Sequence, residues 1–347
     1  MTFQQLTDRE RRVLEAVIQS YVQTAEPAGS QAIARRFGLG VSPATIRNTM
    51  SELEEKGFLF HPHTSAGRIP TDKAYRLYVN SLMRIEPVAA DEGSRLAEQL
   101  SSAGSAVEAI LRRAAQSLGV LTQELGVAIG PRLDLSVLQR IALVRASAER
   151  LLMVLSLSGG AMRTIFVEVP GAVDENAMAE VGRLLNERLG GLTLREIRGT
   201  FAERLRDSAP APNVTELLNI FVQEGNELFD VPSGDDDGGV HLGQPSLLAE
   251  QPEFSSGESM RKVLALTEMR RHLGDFLSKR SATPGISISI GNEHEDPRLE
   301  NFTVVTAEYR AGSLVGVIGV IGPTRMPYDK VISLVSHTSQ LVSDLLD

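Results

Sequence analysis

Helix start and stop signals crowd the first 84 residues so closely that only short elements fit between them. Thr7 and Glu10 form a T-x-x-E capping box. Behind it Val13, Val17 and Tyr21 recur at i, i+4 and i+8, with Leu14 and Ile18 beside them, which predicts an amphipathic helix over roughly Thr7 to Gln23. "AEPAGS" breaks it. A short helix from about Ser30 to Phe37 follows, with Ala32, Ile33, Ala34 and Phe37 as its inner face and Gly38 as its stop. After the tight turn "GLG", Ser42 is placed as N-cap and Pro43 as the first helical residue, where a missing N–H costs nothing. In this third helix Ile46, Met50 and Leu53 share one face, expected in the core. Ala44, Asn48, Ser51 and Glu55 point the other way, Arg47 and Glu52 lie on the flanks, and Gly57 ends it. "FLFHPHTSAGRIPTDK" reads as a β-hairpin turning at Ser65-Ala66-Gly67, and "TDKAYRLYVNSLM" as a helix capped by Thr71.

Helix, helix, tight turn, helix and hairpin in that order is the pattern of a winged helix-turn-helix, whose third helix enters the DNA major groove. The polarity of the third helix fits. Thr45, Arg47 and Asn48 occupy its first half, while Glu52, Glu54 and Glu55 gather at the other end. A helix docked by its N-terminal half needs donors there and no carboxylates, and its positive dipole end suits phosphates. The glutamates face the negative end of the dipole, at a cost of roughly a few tenths of a kcal/mol. We expect them to keep the helix from lying flat along the groove.

Arg47 suits guanine O6/N7 and Asn48 suits adenine N6/N7, each worth roughly 1–3 kcal/mol of discrimination. The plain alternative for Arg47 is a solvated flank residue. Ser42, Thr45 and Ser51 suit phosphates or capping, and Ser42 has a pure N-cap role as its alternative. In the hairpin, His61, His63, Thr64 and Arg68 are placed to track the backbone or minor groove. Charge agrees: residues 1–84 hold 11 Lys+Arg and 8 Asp+Glu, a net +3, while the whole chain carries −9, leaving −12 for the rest. The asymmetry suggests a small polyanion-facing module on an acidic body, with chance as the plain alternative on charge alone.

The body begins after "RIEPVAADEGS", a linker placed at residues 85–94. A long helix is expected over roughly Ser94 to Leu125. Three strand-like runs follow, "LQRIALVRA", "RLLMVLSLS" and "MRTIFVEVP", with short turns that favour antiparallel pairing. Residues 174–230 turn helical, "VPSGDDDGG" and "GQPSLLAEQPEFSSGE" are loop-rich, and "ESMRKVLALTEMRRHLGDFLSKR" is helical again. "GISISIG", "FTVVTAEYR" and "LVGVIGVIG" return to strands before a final helix. The pattern is that of one antiparallel sheet domain interrupted by a mostly helical insertion, giving an α+β multidomain fold.

Several function classes are excluded or disfavoured. The chain has no cysteine, so no disulfide framework, thiol nucleophile or Cys-based metal site. Its start lacks the apolar segment of a secretory signal, and its longest apolar stretches are too short to span a bilayer, so a soluble cytoplasmic protein is expected. "GVIGVIG" spaces its glycines wrongly for a dinucleotide fingerprint and reads as a strand needing close backbone approach. "EHED" (Glu293 to Asp296) and "DDD" (Asp235 to Asp237) are expected as solvated loops, and the two histidines of "HPH" lack a nearby third metal ligand. No G-x-S-x-G, H-E-x-x-H or P-loop occurs, so neither enzyme activity nor a cofactor or metal is expected.

"RRVLEAVIQSYVQTAEPAGSQAIA", "SPATIRNTMSELEEKGFL" and "HTSAGRIPTDKAYRLYVNSL" closely resemble the N-terminal domain of the bacterial heat-inducible transcription repressor HrcA family. "ISISIGNE", "FTVVTAEYR" and "VGVIGVIGPTRMPYDKVISLV" resemble its C-terminal end, and "QPEF" (Gln251 to Phe254) its middle. The resemblance implies a winged-helix DNA-binding domain at 1–84, a GAF-like domain at 95–170 and 273–347, and an inserted dimerisation domain at 171–272. It further implies a homodimer that binds the inverted-repeat operator CIRCE upstream of chaperone genes, releases it on heat shock, and is kept competent by the GroEL chaperonin. The acidic "SGDDDGG" departs from the family pattern. Rival readings are a regulator sensing a small molecule through the GAF-like domain, an enzyme built on the sheet, and a scaffold whose winged helix binds protein.

Overall fold

The structure is a computed structural model that describes residues 6–62, 67–85, 87–102, 107–130, 136–158, 162–171, 173–206, 212–228, 239–280, 284–312 and 314–346. The chain forms two compact units. The first comprises Met1–Ile129, Val240–Glu308 and Val317–Leu345; the second comprises Gly130–Gly239, Tyr309–Gly316 and Leu346–Asp347.

The first unit opens with α1 (Asp8–Thr24), α2 (Ser30–Phe37) and α3 (Pro43–Glu55), then the hairpin β1 (Leu59–Phe60) and β2 (Ile69–Pro70), then α4 (Asp72–Leu77), which continues as a π-helical turn over Tyr78–Leu82. The expected capping box closes α1, with both Thr7 and Glu10 bonded back to the other's backbone. The three helices pack on one another through Val13, Leu14, Val17, Ile18, Ile33, Ile46, Met50 and Leu53, all buried. Each such side chain contributes about 1.5–3 kcal/mol relative to an exposed one. On α2 only Ile33 is buried; Ala32 is exposed, and Ala34 and Phe37 are half-buried. Eight residues present too little length to bury the whole small face the spacing suggested. The base of the hairpin gains a third segment, because Ala28 and Arg68 exchange backbone hydrogen bonds of 2.8 and 2.9 Å. Gly67 allows this approach: a Cβ there would sit 2.5 Å from the Ala28 carbonyl.

The remainder of the first unit is a five-stranded sheet with helices on its faces. Its strand order is β7 (Val240–Leu242), β3 (Leu125–Ile129), β10 (Leu314–Pro323), β9 (Phe302–Ala311), β8 (Ile286–Ile290). Leu125, Val127 and Ile129 of β3 join one buried cluster with Leu248, Val263, Leu266, Leu273 and Leu277, which lie on α10 (Pro245–Ala249), α11 (Gly257–Glu268) and α12 (Arg270–Arg280). Gly126 between them meets α6 (Val107–Thr122), where a Cβ would sit 1.8 Å from the Ala115 carbonyl. The glycine-spaced run is the strand β10, and Gly319 lies where a Cβ would strike the Val305 carbonyl. The final helix α13 (Tyr328–Leu346) buries Val331, Ile332, Leu334, Val335 and Val342. The "EHED" stretch is not a plain solvated loop: His294 is buried, with Nε2 3.0 Å from the Phe302 carbonyl. Asp235 to Asp237 lie outside the described residues.

In the second unit the strand pairing differs from the expected one. Among the described residues, the three runs expected in one sheet with the C-terminal strands pair with one another, as β4 (Leu138–Arg145), β5 (Arg150–Leu157) and β6 (Met162–Glu168) in order β4-β5-β6. One face of this sheet packs on α7 (Glu175–Leu189), α8 (Leu194–Arg206) and α9 (Pro212–Leu228), through Leu151, Met153, Leu155, Val181, Leu185, Ile197, Phe201 and Phe221. The second unit takes in Gly130–Gly239, where an inserted domain is expected at 171–272, and it carries a sheet as well as helices. Its ends meet because β3 and β7 pair antiparallel, Ile129 opposite Val240. Chain leaving a sheet at one strand and returning on its neighbour disturbs the host little. Two smaller boundaries also differ. Helix α5 (Ala90–Ser101) starts inside the expected 85–94 linker, and α5 and α6 replace the single long helix.

Candidate nucleic-acid interface

The third helix begins as the sequence dictates. Ser42 is extended (φ −66°, ψ 153°), and its Oγ accepts from Thr45 N at 3.1 Å and lies 2.9 Å from Thr45 Oγ1. Both hydroxyls thus serve the cap while Ser42 stays exposed and Thr45 half-exposed. Ala44, Arg47 and Asn48 are exposed, and Ile46, Thr49, Met50 and Leu53 beneath them are buried. One face of α3 is thereby spent on the core, and the other presents a guanidinium and an amide from its first two turns. Those groups can read base edges.

The far end of α3 is tied down by its acids. Glu54 accepts from Arg68 at 2.9 Å and faces His61 Nδ1 at 2.8 Å. Arg68 also donates to Ser51 Oγ at 3.4 Å, and Ser51 donates back to the Arg47 carbonyl. Four residues at the helix end and wing base are thus one network: Ser51, Glu54, His61 and Arg68. Arg68 is only 12% exposed, so its charge serves the wing's attachment before any nucleic acid. Glu54 was not among the expected functional residues. Its partners come from a hairpin whose register α3's own spacing does not reveal. His63 and Thr64 lie outside the described residues.

A second acid links helices. Glu10, from the first cap, receives Lys56 Nζ at 2.6 Å at the end of α3. Burial opposes ionisation of Glu10, but the hydrogen bonds from Lys56 and from the Thr7 amide and hydroxyl outweigh it and hold its carboxyl below the usual range. Lys73 of α4 donates to the Lys56 carbonyl at 2.8 Å and lies over the Phe58 ring, fixing the loop between α3 and the hairpin.

Residues 5–83 match the family described as winged helix-turn-helix transcription repressor, HrcA DNA-binding, and residues 108–332 match the HrcA protein C terminal domain. The chain belongs to the HrcA family. The heat-inducible transcription repressor HrcA of Chlorobium phaeobacteroides (strain BS1) is 39% identical over 357 residues, covering 100% of both chains. The HrcA of Geobacter sulfurreducens is 34% identical, covering 99% of this chain and 98% of its own. A solved structure described only as that of a hypothetical protein shares the fold, with a TM-score of 0.61 at 22% identity over 99% of each chain. As an HrcA, the chain is a heat-inducible transcription repressor with a DNA-binding winged helix, and α1 to α4 are that domain. Among the described residues no helix is long and apolar enough to cross a membrane.

Proposed function

We propose that this repressor acts in the cytoplasm, by binding and without catalysis, as a homodimer on the inverted-repeat operator CIRCE upstream of chaperone operons. One α3 enters the major groove of each half-site. Arg47 and Asn48 read bases; Ser42, Thr45 and Ser51 lie beside the phosphates; the wing with His61, His63, Thr64 and Arg68 follows the backbone. The observation that carries this is the exposure of Arg47 and Asn48 on the N-terminal half of a helix whose other face is buried.

The dimer is assigned to the inserted unit. On its three-stranded sheet the face away from the helices carries Val144, Leu152 and Phe166 in one cross-strand row, with Val154 in the next row and Met162 in the one beyond. Phe166 is 63% and Met162 70% exposed. An apolar sheet face of this kind fits a self-complementary contact about a two-fold axis. The five-stranded sheet of the first unit takes the place of the GAF-like domain. Release on heat shock, and a GroEL chaperonin that keeps the repressor competent, complete the reading and are carried by the family relationship.

The test is a fluorescence-anisotropy titration of an operator duplex with Arg47→Ala and Asn48→Ala. Each substitution is expected to weaken binding by about 5- to 150-fold, corresponding to roughly 1–3 kcal/mol. Unchanged affinity in both would move base reading away from α3.

A further inference from the structure

Within the first unit the winged helix is joined to the sheet at two separate points, each built on an arginine. The first lies on α4. Arg76 Nε donates to Glu293 Oε1 at 2.7 Å, its Nη2 reaches the Ile288 carbonyl at 2.8 Å and pairs with Glu293 Oε2. Beside it Asp72 accepts from both the backbone amide and the side chain of Asn292, each at 3.0 Å. The sheet side is shaped for this. Gly291 has φ +50°, and a Cβ there would strike the Asp72 carboxylate at 2.1 Å. Glu293 is further held by the Ile290 amide at 2.8 Å. Burial opposes its ionisation, but Arg76 and that amide keep its carboxyl below the usual range.

The second point lies at the end of α1. Arg325, just past β10, pairs with Glu253 and donates to Gln251 Oε1 at 2.9 Å and to the Val22 carbonyl at 2.7 Å. Val22 is in the last turn of α1, where carbonyls have no partner within the helix, and α1 has no basic residue of its own there. Arg325 therefore closes the C-terminus of a winged-helix element from the sheet, in a pair whose side chains are 11% and 25% exposed. The Tyr75 and Tyr328 rings, 5.7 Å apart, fill the space from α4 to α13.

Two clamps on different helices restrain rotation as well as sliding. We propose that Arg76 and Arg325 are positioning residues for operator binding. They hold the winged helix in one orientation on the sheet, so that the recognition helices of a dimer keep a fixed half-site spacing. The proposal rests on the dimeric reading above. Its physical basis is that the second binding event gains only when the linkage presents the second module at the matching distance. A loose joint would tolerate many spacings.

The experiment is a spacing scan. The full-length protein is titrated against duplexes whose two half-sites are moved apart or together base pair by base pair, and against a single half-site. Wild type, Arg76→Ala, Arg325→Gln and the charge-swapped pair Arg76→Glu with Glu293→Arg are compared. Wild type is expected to prefer one spacing by about 10-fold or more over a half-turn displacement, since half-sites repeat with the DNA turn of about 10 base pairs. Arg76→Ala and Arg325→Gln should flatten the profile to within about 3-fold, keep the single half-site affinity, and the swapped pair should restore the peak. Variants that keep the sharp profile overturn the positioning role. So do variants that lose single half-site affinity to the same degree, because the residues would then act on the winged helix itself. A flat wild-type profile overturns the dimeric reading, and the positioning role with it.

Discussion

Glu54 and Arg68 are bonded at 2.9 Å, joining the last turn of α3 to the residue just before β2. A carboxylate at the end of α3 is thereby explained by what it holds. Arg68 is 12% exposed, and removing its partner leaves a largely buried charge without compensation. Glu54→Ala is expected to lower stability by about 1–3 kcal/mol. Glu52→Ala, on the exposed flank of the same helix, should stay within about 0.5 kcal/mol. Urea unfolding of the two variants measures the difference.

Glu10 gives the DNA-binding domain an acid-sensitive joint. Its carboxyl is held below the ordinary range by Lys56 and Thr7, so its contribution is present above the unfolded-state value and is lost as pH falls through the lower folded one. Glu10→Gln should cost about 1–3 kcal/mol at pH 7. That penalty should shrink steadily below about pH 4, because wild-type Glu10 then becomes neutral too. Thermal or urea unfolding at both pH values reads it out.

Glu124 behaves in the opposite sense. It is buried beside β10, close enough that a Cβ at Gly322 would meet its carboxylate at 2.2 Å, and its Oε2 has no hydrogen-bond partner among the described residues. Burial pushes its carboxyl well above the usual range, against the pull of Arg325. A raised carboxylate pKa means stability falls as pH climbs above the unfolded-state value. Glu124→Gln is therefore expected to be more stable than wild type at pH 8 and to lose that advantage near pH 4. A variant less stable at both would contradict this.

Phe166 and Val167 are neighbours on β6 that face opposite ways: Val167 is fully buried and Phe166 is 63% exposed. If the proposed dimer forms through this face, Phe166→Lys should leave the unfolding temperature near wild type yet sediment as a monomer where wild type sediments as a dimer. Val167→Lys should unfold the second unit, because it places a charge within the packed cluster. A Phe166→Lys protein that remains a dimer would place the two-fold contact elsewhere.

Local signals specified local structure well. Thr7, Ser42 and Thr71 cap the helices the sequence assigned them, and Pro43 stands at the first turn of α3. These are interactions within four residues, so spacing alone reports them. Partner choice among strands is different. The runs at β4, β5 and β6 alternate as strands in any sheet, and nothing in their alternation says which sheet they join. The strands that do complete the main sheet, β3 and β7, are five and three residues long and pair across the segment Gly130–Gly239. One lies directly after a helix and the other after an acidic glycine-rich run, so neither shows a periodicity of its own. The Glu54–Arg68 bond and the Arg76 and Arg325 clamps were hidden for the same reason, since each joins residues from different elements.

In the proposed function two copies of α3 read two half-sites together. The most direct measurement titrates the purified protein against the inverted-repeat duplex and against a copy with one half-site scrambled, each at two salt concentrations. Binding to the intact duplex should be tight, fall steeply with salt as phosphate contacts are lost, and collapse when one half-site is scrambled. Equal affinity for both duplexes, unchanged after addition of chaperonin with ATP, would show that the protein does not read two half-sites together.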